Sequence, residues 1–279
     1  MKEHDFKGKL ESHHEAVIRT MTGYDMMGSQ DEAYYARQYL HWILPELEAR
    51  FPGRRALVLD LGCGQGRFSL PLAQWCLGGG GEVRGVDLAG PALEKARQRA
   101  QGLPNLSFEE VDVLEFLQGQ EDASADAVLL IEVTFFLPRW KEVLGQVARV
   151  LRPGGVSFVS FRSQYYNLLQ NVWSWRWEGA RMALEKREGY LWGEPVWYTW
   201  QTPDEIREFY RELGLRPVKF LGIGVCSGLE EDPHGTIIRP SQLSVQEQDL
   251  LMAIECRAAE AYAACGRYIL AIAEKPHLP

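Results

Sequence analysis

The sequence has little that would anchor the protein in a membrane or cross-link it. No stretch approaches the roughly 18 consecutive apolar residues of a membrane-spanning helix. Residues 1–7 are charged and lack the apolar core of a secretion signal. The five cysteines form no CxxC pair, and the six histidines show no zinc-binding spacing. We therefore predict a cytoplasmic protein with reduced thiols, no membrane span and no metal site.

Basic residues are also fewer than acidic residues. The chain has 30 lysines and arginines against 38 acidic residues, which gives a formal net charge of −8. A negative field repels phosphate backbones, and the sequence has no basic stripe that would offset it. With 46% hydrophobic and 24% charged residues, the chain of 279 residues is typical of a globular protein with a sizeable core. Small-molecule partners are therefore favoured over nucleic acids.

What the sequence does have is a regular alternation of short apolar segments and helical segments. Strands are predicted at residues 56–61, 82–87, 106–111, 127–132 and 156–161, with helices at 67–77, 91–101 and 138–151. Further strands are predicted at 215–225 and 266–273. The pattern predicts an α/β fold in which a seven-stranded, mostly parallel sheet has helices on both faces. In such sheets, ligands bind in the crevice at the carboxyl ends of the strands.

Three additions to the sheet are expected within one domain that spans the whole chain. The predicted parts are an N-terminal helical cover at 1–55, the first half of the sheet at 56–161, an aromatic-rich insert at 162–201, and the second half at 202–279 with a helical insert at 243–264. Residues 161–200 contain 11 of the 31 aromatic residues. Long insertions in compact domains are often active-site lids, so we expect the aromatic insert to cover the crevice.

A glycine-rich turn joins the first predicted strand to the first predicted helix. Gly62, Gly64 and Gly66 allow a tight turn and close approach of a ligand, and the helix that follows offers free N–H groups to an anion. A dinucleotide fingerprint, G-x-G-x-x-G, would need its third glycine at position 67, which is occupied by Arg67. The spacing G-x-G-x-G therefore argues against a nicotinamide cofactor.

Residues 60–66, Asp-Leu-Gly-Cys-Gly-Gln-Gly, resemble motif I of the class I S-adenosylmethionine-dependent methyltransferases. Later elements resemble that family in order and spacing, at residues 85–88, 110–113, 126–132 and 151–155. The nearest likeness is to its branch of small-molecule enzymes of the ubiquinone- and menaquinone-biosynthesis type. The resemblance implies a Rossmann-like fold, S-adenosyl-L-methionine as cofactor, S-adenosyl-L-homocysteine as product, and methyl transfer to a small-molecule acceptor.

The resemblance also implies roles for strand-end residues. Asp87, followed by Leu88, corresponds to the acidic position that accepts hydrogen bonds from both ribose hydroxyls. Asp112 and Val113 correspond to the position that contacts the adenine. Asp112 equally suits the N-cap of a helix, and the two roles are compatible.

The methionine end of the cofactor would lie near the glycine turn, where Cys63 matters only for being small. Asp60 and Glu132 border this end and suit an ammonium group, although a buried Asp60 would instead hold the turn in place. In related enzymes the N-terminal helix often supplies a tyrosine or an arginine over the cofactor. The candidates here are Tyr24, Tyr34 and Arg37.

The acceptor is expected to be partly apolar or aromatic and to bind beside the aromatic insert. Candidates for binding a carboxylate on it are Arg162, Arg176 and Arg181, although surface positions are favoured for all three. Trimming Trp173 or Trp197 is expected to lower acceptor turnover more than cofactor affinity. If an oxygen nucleophile must lose a proton, the conceivable bases are His13, His14, Glu132, Tyr165 and Tyr166. The methylated atom, oxygen, nitrogen or carbon, is left open.

Three alternatives remain at the level of sequence. One is a regulatory protein that binds S-adenosylmethionine without turnover, and another is a nicotinamide oxidoreductase on a similar sheet. A nucleic-acid methyltransferase is less favoured, because the fourth predicted strand ends in Ile-Glu-Val-Thr rather than in an Asn-Pro-Pro-Tyr-type motif. The sequence leaves the oligomeric state open.

Overall fold

A computed structural model describes residue 18 and residues 24–190, 197–230, 232 and 238–277. Seven strands form its main sheet: β1 Leu57–Leu61, β2 Glu82–Asp87, β3 Leu106–Glu110, β4 Ala125–Leu130, β5 Leu151–Arg162, β8 Arg216–Ile223 and β9 Tyr268–Glu274. Two short strands pair separately, β6 Glu188–Tyr190 with β7 Trp197–Thr199. Within the described residues, none of the helices combines the length and apolar character needed to cross a bilayer.

The order of the main sheet is β3-β2-β1-β4-β5-β9-β8. Strands β1 to β5 pair in parallel, whereas β9 runs antiparallel to both of its neighbours, β5 and β8. This confirms the predicted seven-stranded, mostly parallel sheet. Because β9 is antiparallel, its first residue lies beside the last residue of β5, so that Tyr268 pairs with Arg162. The start of β9 therefore reaches the same edge of the sheet as the ends of β1 to β5.

Nine helices are present in the described part of the chain: α1 Gln30–Arg50, α2 Ser69–Cys76, α3 Gly90–Arg99, α4 Val113–Gln118, α5 Trp140–Val150, α6 Gln164–Trp173, α7 Trp177–Glu185, α8 Pro203–Glu212 and α9 Val245–Ala258. The helices α8 and α9 each begin with a capping box, at Thr202 and Ser244. In such a box the hydroxyl and a glutamate three residues later each bind the other residue's backbone N–H, which fixes where the helix starts.

The core divides into two layers, one on each face of the sheet, because side chains alternate along each strand. One layer consists of buried side chains of α1, α2 and α9 packed on one face of the sheet, to which Val58 of β1 contributes. The other layer consists of buried side chains of α4, α5 and α8 packed on the opposite face, to which the next residue of β1, Leu59, contributes. Helices therefore cover both faces, as predicted.

The N-terminal helix α1 is fastened to the rest of the molecule through a buried carboxylate on α9. Glu255 is 1% exposed and accepts hydrogen bonds from the Tyr34 hydroxyl at 2.7 Å and from Gln38 Nε2 at 2.5 Å. It also accepts from the backbone N–H groups of Cys226 at 2.8 Å and Ser227 at 2.9 Å, and from the Ser227 hydroxyl at 3.0 Å. We call these contacts the Glu255 clamp. The clamp holds together α1, α9 and the segment after β8.

Candidate active site

A cavity of about 710 Å³ opens at the carboxyl edge of the sheet. The sheet order divides its lining in two. The ends of β1, β2 and β3 supply what we call the glycine end: Gly62, Cys63, Gly64, Asp87, Leu88, Asp112 and Val113. The region around β5, the start of β9 and the aromatic insert supplies the arginine end: Phe135, Arg162, Gln170, Tyr198, Arg267 and Tyr268. Arg67 and Glu132 also line the cavity.

The glycine turn depends on backbone angles that other residues adopt only with strain. Gly62, Gly64 and Gly66 have φ of +72°, +52° and +86°. A Cβ on Gly62 would also collide with the side chain of Val133. The N–H groups of Gly62 and Cys63 donate to Val86 O at 2.8 and 2.9 Å, which ties the turn to β2. The turn brings Gly62 and Gly64 to the cavity, whereas Gly66 lies outside its lining.

Asp87 stands at the end of β2, with its carboxylate held by the glycine turn. Oδ2 accepts a hydrogen bond from Gly64 N–H at 2.7 Å, and Oδ1 accepts from Ala89 N–H at 2.8 Å. Burial raises the pKa of Asp87 even though these two hydrogen bonds favour the charged form. A carboxylate has about four lone-pair sites, so each oxygen can still accept a bond from a ligand hydroxyl.

Asp112 both lines the cavity and caps a helix. Its Oδ1 accepts hydrogen bonds from Leu114 N–H at 2.9 Å and Glu115 N–H at 3.2 Å, at the start of α4. This cap fixes the carboxylate at the end of β3. The two roles that the sequence suggests for Asp112 are therefore compatible in the folded protein.

Asp60 lies inside the protein rather than in the cavity lining. It is 1% exposed and accepts a hydrogen bond from the Ser69 hydroxyl at 2.5 Å. Burial raises the pKa of Asp60 to about 6. Because Ser69 begins α2, this contact ties β1 to the helix after the glycine turn. The geometry supports the holding role for Asp60.

A buried ion-pair cluster lies between the two ends of the cavity. The Arg67 guanidinium contacts Glu32 at 2.5 Å and Glu132 at 2.9 Å. Burial opposes the charge of Arg67, but the carboxylates of Glu132 and Glu32 outweigh it and raise the pKa of Arg67. The sequence offers no local signal for this cluster, since Glu32 and Arg67 are on different elements.

Glu132 is the strained member of this cluster. It has a φ of +61°, a conformation that non-glycine residues rarely adopt outside functional sites. Its backbone N–H donates to Ser160 Oγ at 2.5 Å. Its side chain is 10% exposed, and its Oε1 finds no hydrogen-bond partner among the described residues. Glu132 therefore presents a buried acceptor to the cavity.

The arginine end combines two buried guanidinium groups with aromatic rings. Arg162 donates to Gln170 Oε1 at 3.2 Å and lies 5.7 Å from the ring centre of Phe135. Arg267 forms an ion pair with Asp232 and lies 5.5 Å from the ring centre of Tyr268. Burial and, next, the charge of Arg267 lower the pKa of Arg162. Of the arginines that the sequence places at the surface, Arg162 is in fact 3% exposed.

Aromatic rings form one wall of this end. The Phe135 ring stacks against Tyr198 at 6.1 Å and against Tyr268 at 5.6 Å, with interplanar angles of 16° and 19°. These rings come from the turn after β4, from the aromatic insert and from β9. The insert also contributes Gln170, Ser174 and Arg176 to the lining, so it forms part of the cavity wall.

Two residues predicted to contact the cofactor lie elsewhere. Tyr34 is buried in the Glu255 clamp, and Arg37 forms an exposed ion pair with Asp249 at 2.7 Å. Both point from α1 toward α9, because the buried face of α1 packs on the sheet and this side meets α9. Neither residue is part of the cavity lining. Tyr24 does line the cavity.

The other candidates in and near the insert differ in exposure and in hydrogen-bond partners. Trp173 and Tyr165 are 43% and 44% exposed, and neither they nor Trp197 line the cavity. Arg181 is exposed and pairs with Glu178 and Glu185. Tyr166 donates its hydroxyl proton to Asp232 at 2.6 Å, and burial raises its pKa to about 12, so it is a poor base at neutral pH. His13 and His14 lie outside the described residues.

The sheet order and the cavity at its carboxyl edge define an α/β protein of the Rossmann-like class. A family model described as a methyltransferase domain matches residues 58–155. Residues 58–155 are thus similar to a methyltransferase domain, and S-adenosylmethionine is the cofactor that this similarity supports. These findings do not favour a nicotinamide oxidoreductase.

Curated relatives match part of this chain. A ubiquinone biosynthesis O-methyltransferase of Idiomarina loihiensis is 36% identical over 118 residues, which cover 42% of this chain and 44% of that enzyme. Its counterpart in Burkholderia pseudomallei is 29% identical over 187 residues, which cover 66% of this chain and 73% of that enzyme. The match thus spans less than half of the first relative and about three quarters of the second.

A solved structure shows that the likeness in fold extends over the whole chain. The 1,6-didemethyltoxoflavin-N1-methyltransferase of Burkholderia thailandensis covers 99% of this chain, and the match covers 92% of that enzyme. The TM-score is 0.56 at 20% sequence identity. At this level of identity the likeness concerns the fold alone.

The residues of the cavity fit the cofactor. Asp87 offers a carboxylate to vicinal hydroxyls, and the glycine turn has open space at Gly64, where a Cβ would meet nothing within 4 Å. The Oε1 atom of Glu132 is a buried acceptor that needs a donor, and an ammonium group supplies one.

Proposed function

We propose that the protein transfers a methyl group from S-adenosylmethionine to a small, partly apolar or aromatic acceptor. The observation that carries the proposal is the single cavity of about 710 Å³ that joins the glycine end to the arginine end. One end has the residues that suit the cofactor, and the other has a wall of aromatic rings. Relatives of this chain include an enzyme named as an O-methyltransferase, and a fold neighbour is named as an N-methyltransferase.

When bound, S-adenosylmethionine supplies a methyl group on a positively charged sulfur. In the proposal, Asp87 binds the ribose hydroxyls, Asp112 and Val113 contact the base, and Glu132 accepts from the ammonium. The reaction is an in-line displacement, which needs the nucleophile about 3–3.5 Å from the methyl carbon. As the bond between the nucleophile and the methyl carbon formed, the methyl–sulfur bond would break and the sulfur would become neutral, and the rings of Phe135 and Tyr198 would assist by excluding water.

The proposal is tested with the wild-type protein, labelled S-adenosylmethionine and a panel of hydroxylated and aminated aromatic compounds. We expect S-adenosylhomocysteine to bind with one site per chain, NAD not to displace it, and label to appear on members of the panel. Displacement by NAD, or no binding of S-adenosylhomocysteine, would contradict the proposal. Tight binding without transfer to any compound would support the non-catalytic alternative instead.

We predict that Glu132→Gln weakens the binding of S-adenosylhomocysteine about tenfold or more, because a charge-assisted bond to the ammonium is lost. The matched ligand is 5′-methylthioadenosine, which has the same adenosine but no ammonium. Its affinity is expected to stay within twofold of wild type. Calorimetry with both ligands measures the two effects, and a thermal melt checks folding. Equal losses for the two ligands would assign Glu132 a structural role.

A further inference from the structure

We propose that Glu32, on the N-terminal helix α1, is a positioning residue for the ammonium group of the cofactor and acts through Arg67 and Glu132. This inference rests on the proposed function, because it concerns the subsite where Glu132 accepts from the ammonium. Glu32 balances the charge of Arg67, so that Glu132 keeps its negative charge for the ligand. Three features support the inference: the contacts within the ion-pair cluster, its charge balance, and the direction of the Glu32 side chain.

The first feature is a buried chain of contacts that ends at the cavity. Glu32 Oε2 lies 2.5 Å from Arg67 Nη1, and Arg67 Nη2 lies 2.9 Å from Glu132 Oε2. The three side chains are 7%, 6% and 10% exposed, and all three residues line the cavity. Two carboxylates therefore share one guanidinium. At the far end of the chain, Oε1 of Glu132 finds no hydrogen-bond partner among the described residues and is a free acceptor.

The second feature is the charge balance of these three groups. Arg67 alone would neutralise Glu132 and leave a pair with little attraction for a cation. Because Glu32 contacts the other terminal nitrogen of the guanidinium, the cluster carries one net negative charge when both carboxylates are ionised. A buried charge without a counter-ion is costly. The ammonium of the cofactor supplies the missing positive charge.

The surroundings of Glu32 reflect this excess of negative charge. Burial raises the pKa of Glu32, Arg67 opposes the rise, and the charge of Glu132 adds to it. Arg267 also favours the charged form of Glu32, but Arg267 is itself in an ion pair with Asp232. A cation bound at Glu132 therefore stabilises both carboxylates in their charged forms.

The third feature is that Glu32 does not make the local contact that its position in α1 favours. Ser29 caps this helix and accepts a hydrogen bond from Glu32 N–H at 3.3 Å. In a capping box the glutamate at this position accepts from the backbone N–H of the cap residue, as Glu205 and Glu247 do at 2.9 and 2.8 Å. The carboxylate of Glu32 contacts Arg67 instead. Its side chain therefore serves the cavity rather than the start of its own helix.

The test compares two ligands by isothermal titration calorimetry: S-adenosylhomocysteine, which has an ammonium group, and 5′-methylthioadenosine, which has the same adenosine without it. We expect Glu32→Gln to lower the affinity for S-adenosylhomocysteine about tenfold and that for 5′-methylthioadenosine less than about twofold, because only the ammonium responds to the lost charge. Glu32→Asp keeps the charge, so both affinities should stay within about threefold of wild type. Glu48→Gln makes the same substitution at an exposed glutamate of α1 and should change neither affinity.

A double variant keeps the test decisive if Glu32→Gln fails to fold. Glu32→Met combined with Arg67→Met removes a carboxylate and the guanidinium together, a replacement that proteins often tolerate for buried ion pairs. Glu132 then still carries one net negative charge. We expect the preference for S-adenosylhomocysteine over 5′-methylthioadenosine to stay within about threefold of wild type. Loss of this preference in the folded double variant would contradict the charge balance.

Each other outcome overturns a specific statement. Equal losses for the two ligands in Glu32→Gln would assign Glu32 a structural role and overturn the inference. A loss in Glu32→Asp as large as that in Glu32→Gln would show that the charge of Glu32 is not what matters, with the same consequence. Weaker binding of S-adenosylhomocysteine to Glu132→Gln but not to Glu32→Gln would overturn the inference and leave the proposed function standing. Failure of the wild-type protein to bind S-adenosylhomocysteine would overturn the proposed function itself.

Discussion

Replacing Asp87 by alanine is expected to weaken the binding of S-adenosylhomocysteine about 100-fold or more. The reason is that one carboxylate would accept two charge-assisted hydrogen bonds from the ribose, each contributing about 1.5–3 kcal/mol. The variant also leaves the N–H groups of Gly64 and Ala89 without their acceptor, so the turn that contacts the ligand loses support. Isothermal titration calorimetry on the folded variant measures the effect.

Two controls make this result specific to the ribose. Asp204→Ala removes a carboxylate whose side chain is 85% exposed on α8, and it should leave cofactor affinity unchanged. 5′-Methylthioadenosine keeps the ribose and lacks the ammonium, so it should lose affinity in Asp87→Ala but not in Glu132→Gln. Unchanged affinity in a folded Asp87→Ala protein would remove Asp87 from the site.

Replacing Glu255 by alanine is expected to lower the free energy of unfolding by about 3 kcal/mol or more. The variant leaves the buried donors of Tyr34, Gln38, Cys226 and Ser227 without an acceptor, and each unsatisfied buried donor costs about 1–3 kcal/mol. Urea unfolding followed by tryptophan fluorescence measures the change. An unchanged midpoint would show that water replaces the carboxylate and that the clamp contributes little.

Glu260→Ala is the matched control for the Glu255 clamp, because Glu260 is exposed and follows α9 by two residues. Its effect is expected to stay within about 0.5 kcal/mol, as for most surface substitutions. The clamp also fixes the segment after β8, which continues to Leu229 in the cavity lining. Without the clamp this segment loses its support. We therefore also expect Glu255→Ala to bind ligands more weakly at low temperature, where the variant is still folded.

The glycine end was predictable because its signals are local. Gly62, Gly64 and Gly66 mark a turn between a strand and a helix, and Asp87 and Asp112 each follow a strand. Parallel strands bring their carboxyl ends to one edge, so positions read separately along the sequence come together in the fold. The alternation of strands and helices likewise predicted the sheet correctly.

The arginine end was not predictable to the same degree, because it depends on contacts between distant segments. Arg162 and Tyr268 meet only because β9 enters the sheet antiparallel, and nothing in either strand specifies that neighbour. The position of Tyr34 and Arg37 outside the cavity lining was not predictable for a related reason. An amphipathic helix shows which face is buried, but not that one side of it faces α9 rather than the cavity.

The position of β9 has a consequence for the order in which the molecule is made. β9 lies between β5 and β8 in space but follows both in the chain. During synthesis on the ribosome, β5 therefore keeps an open edge of unpaired backbone groups, flanked by apolar residues, until Tyr268–Glu274 emerges. Open strand edges invite pairing with other chains, so this interval is when the nascent protein is most exposed to aggregation. Arg267 and Tyr268 arrive in that same final step, which makes the arginine end the last part of the cavity to form.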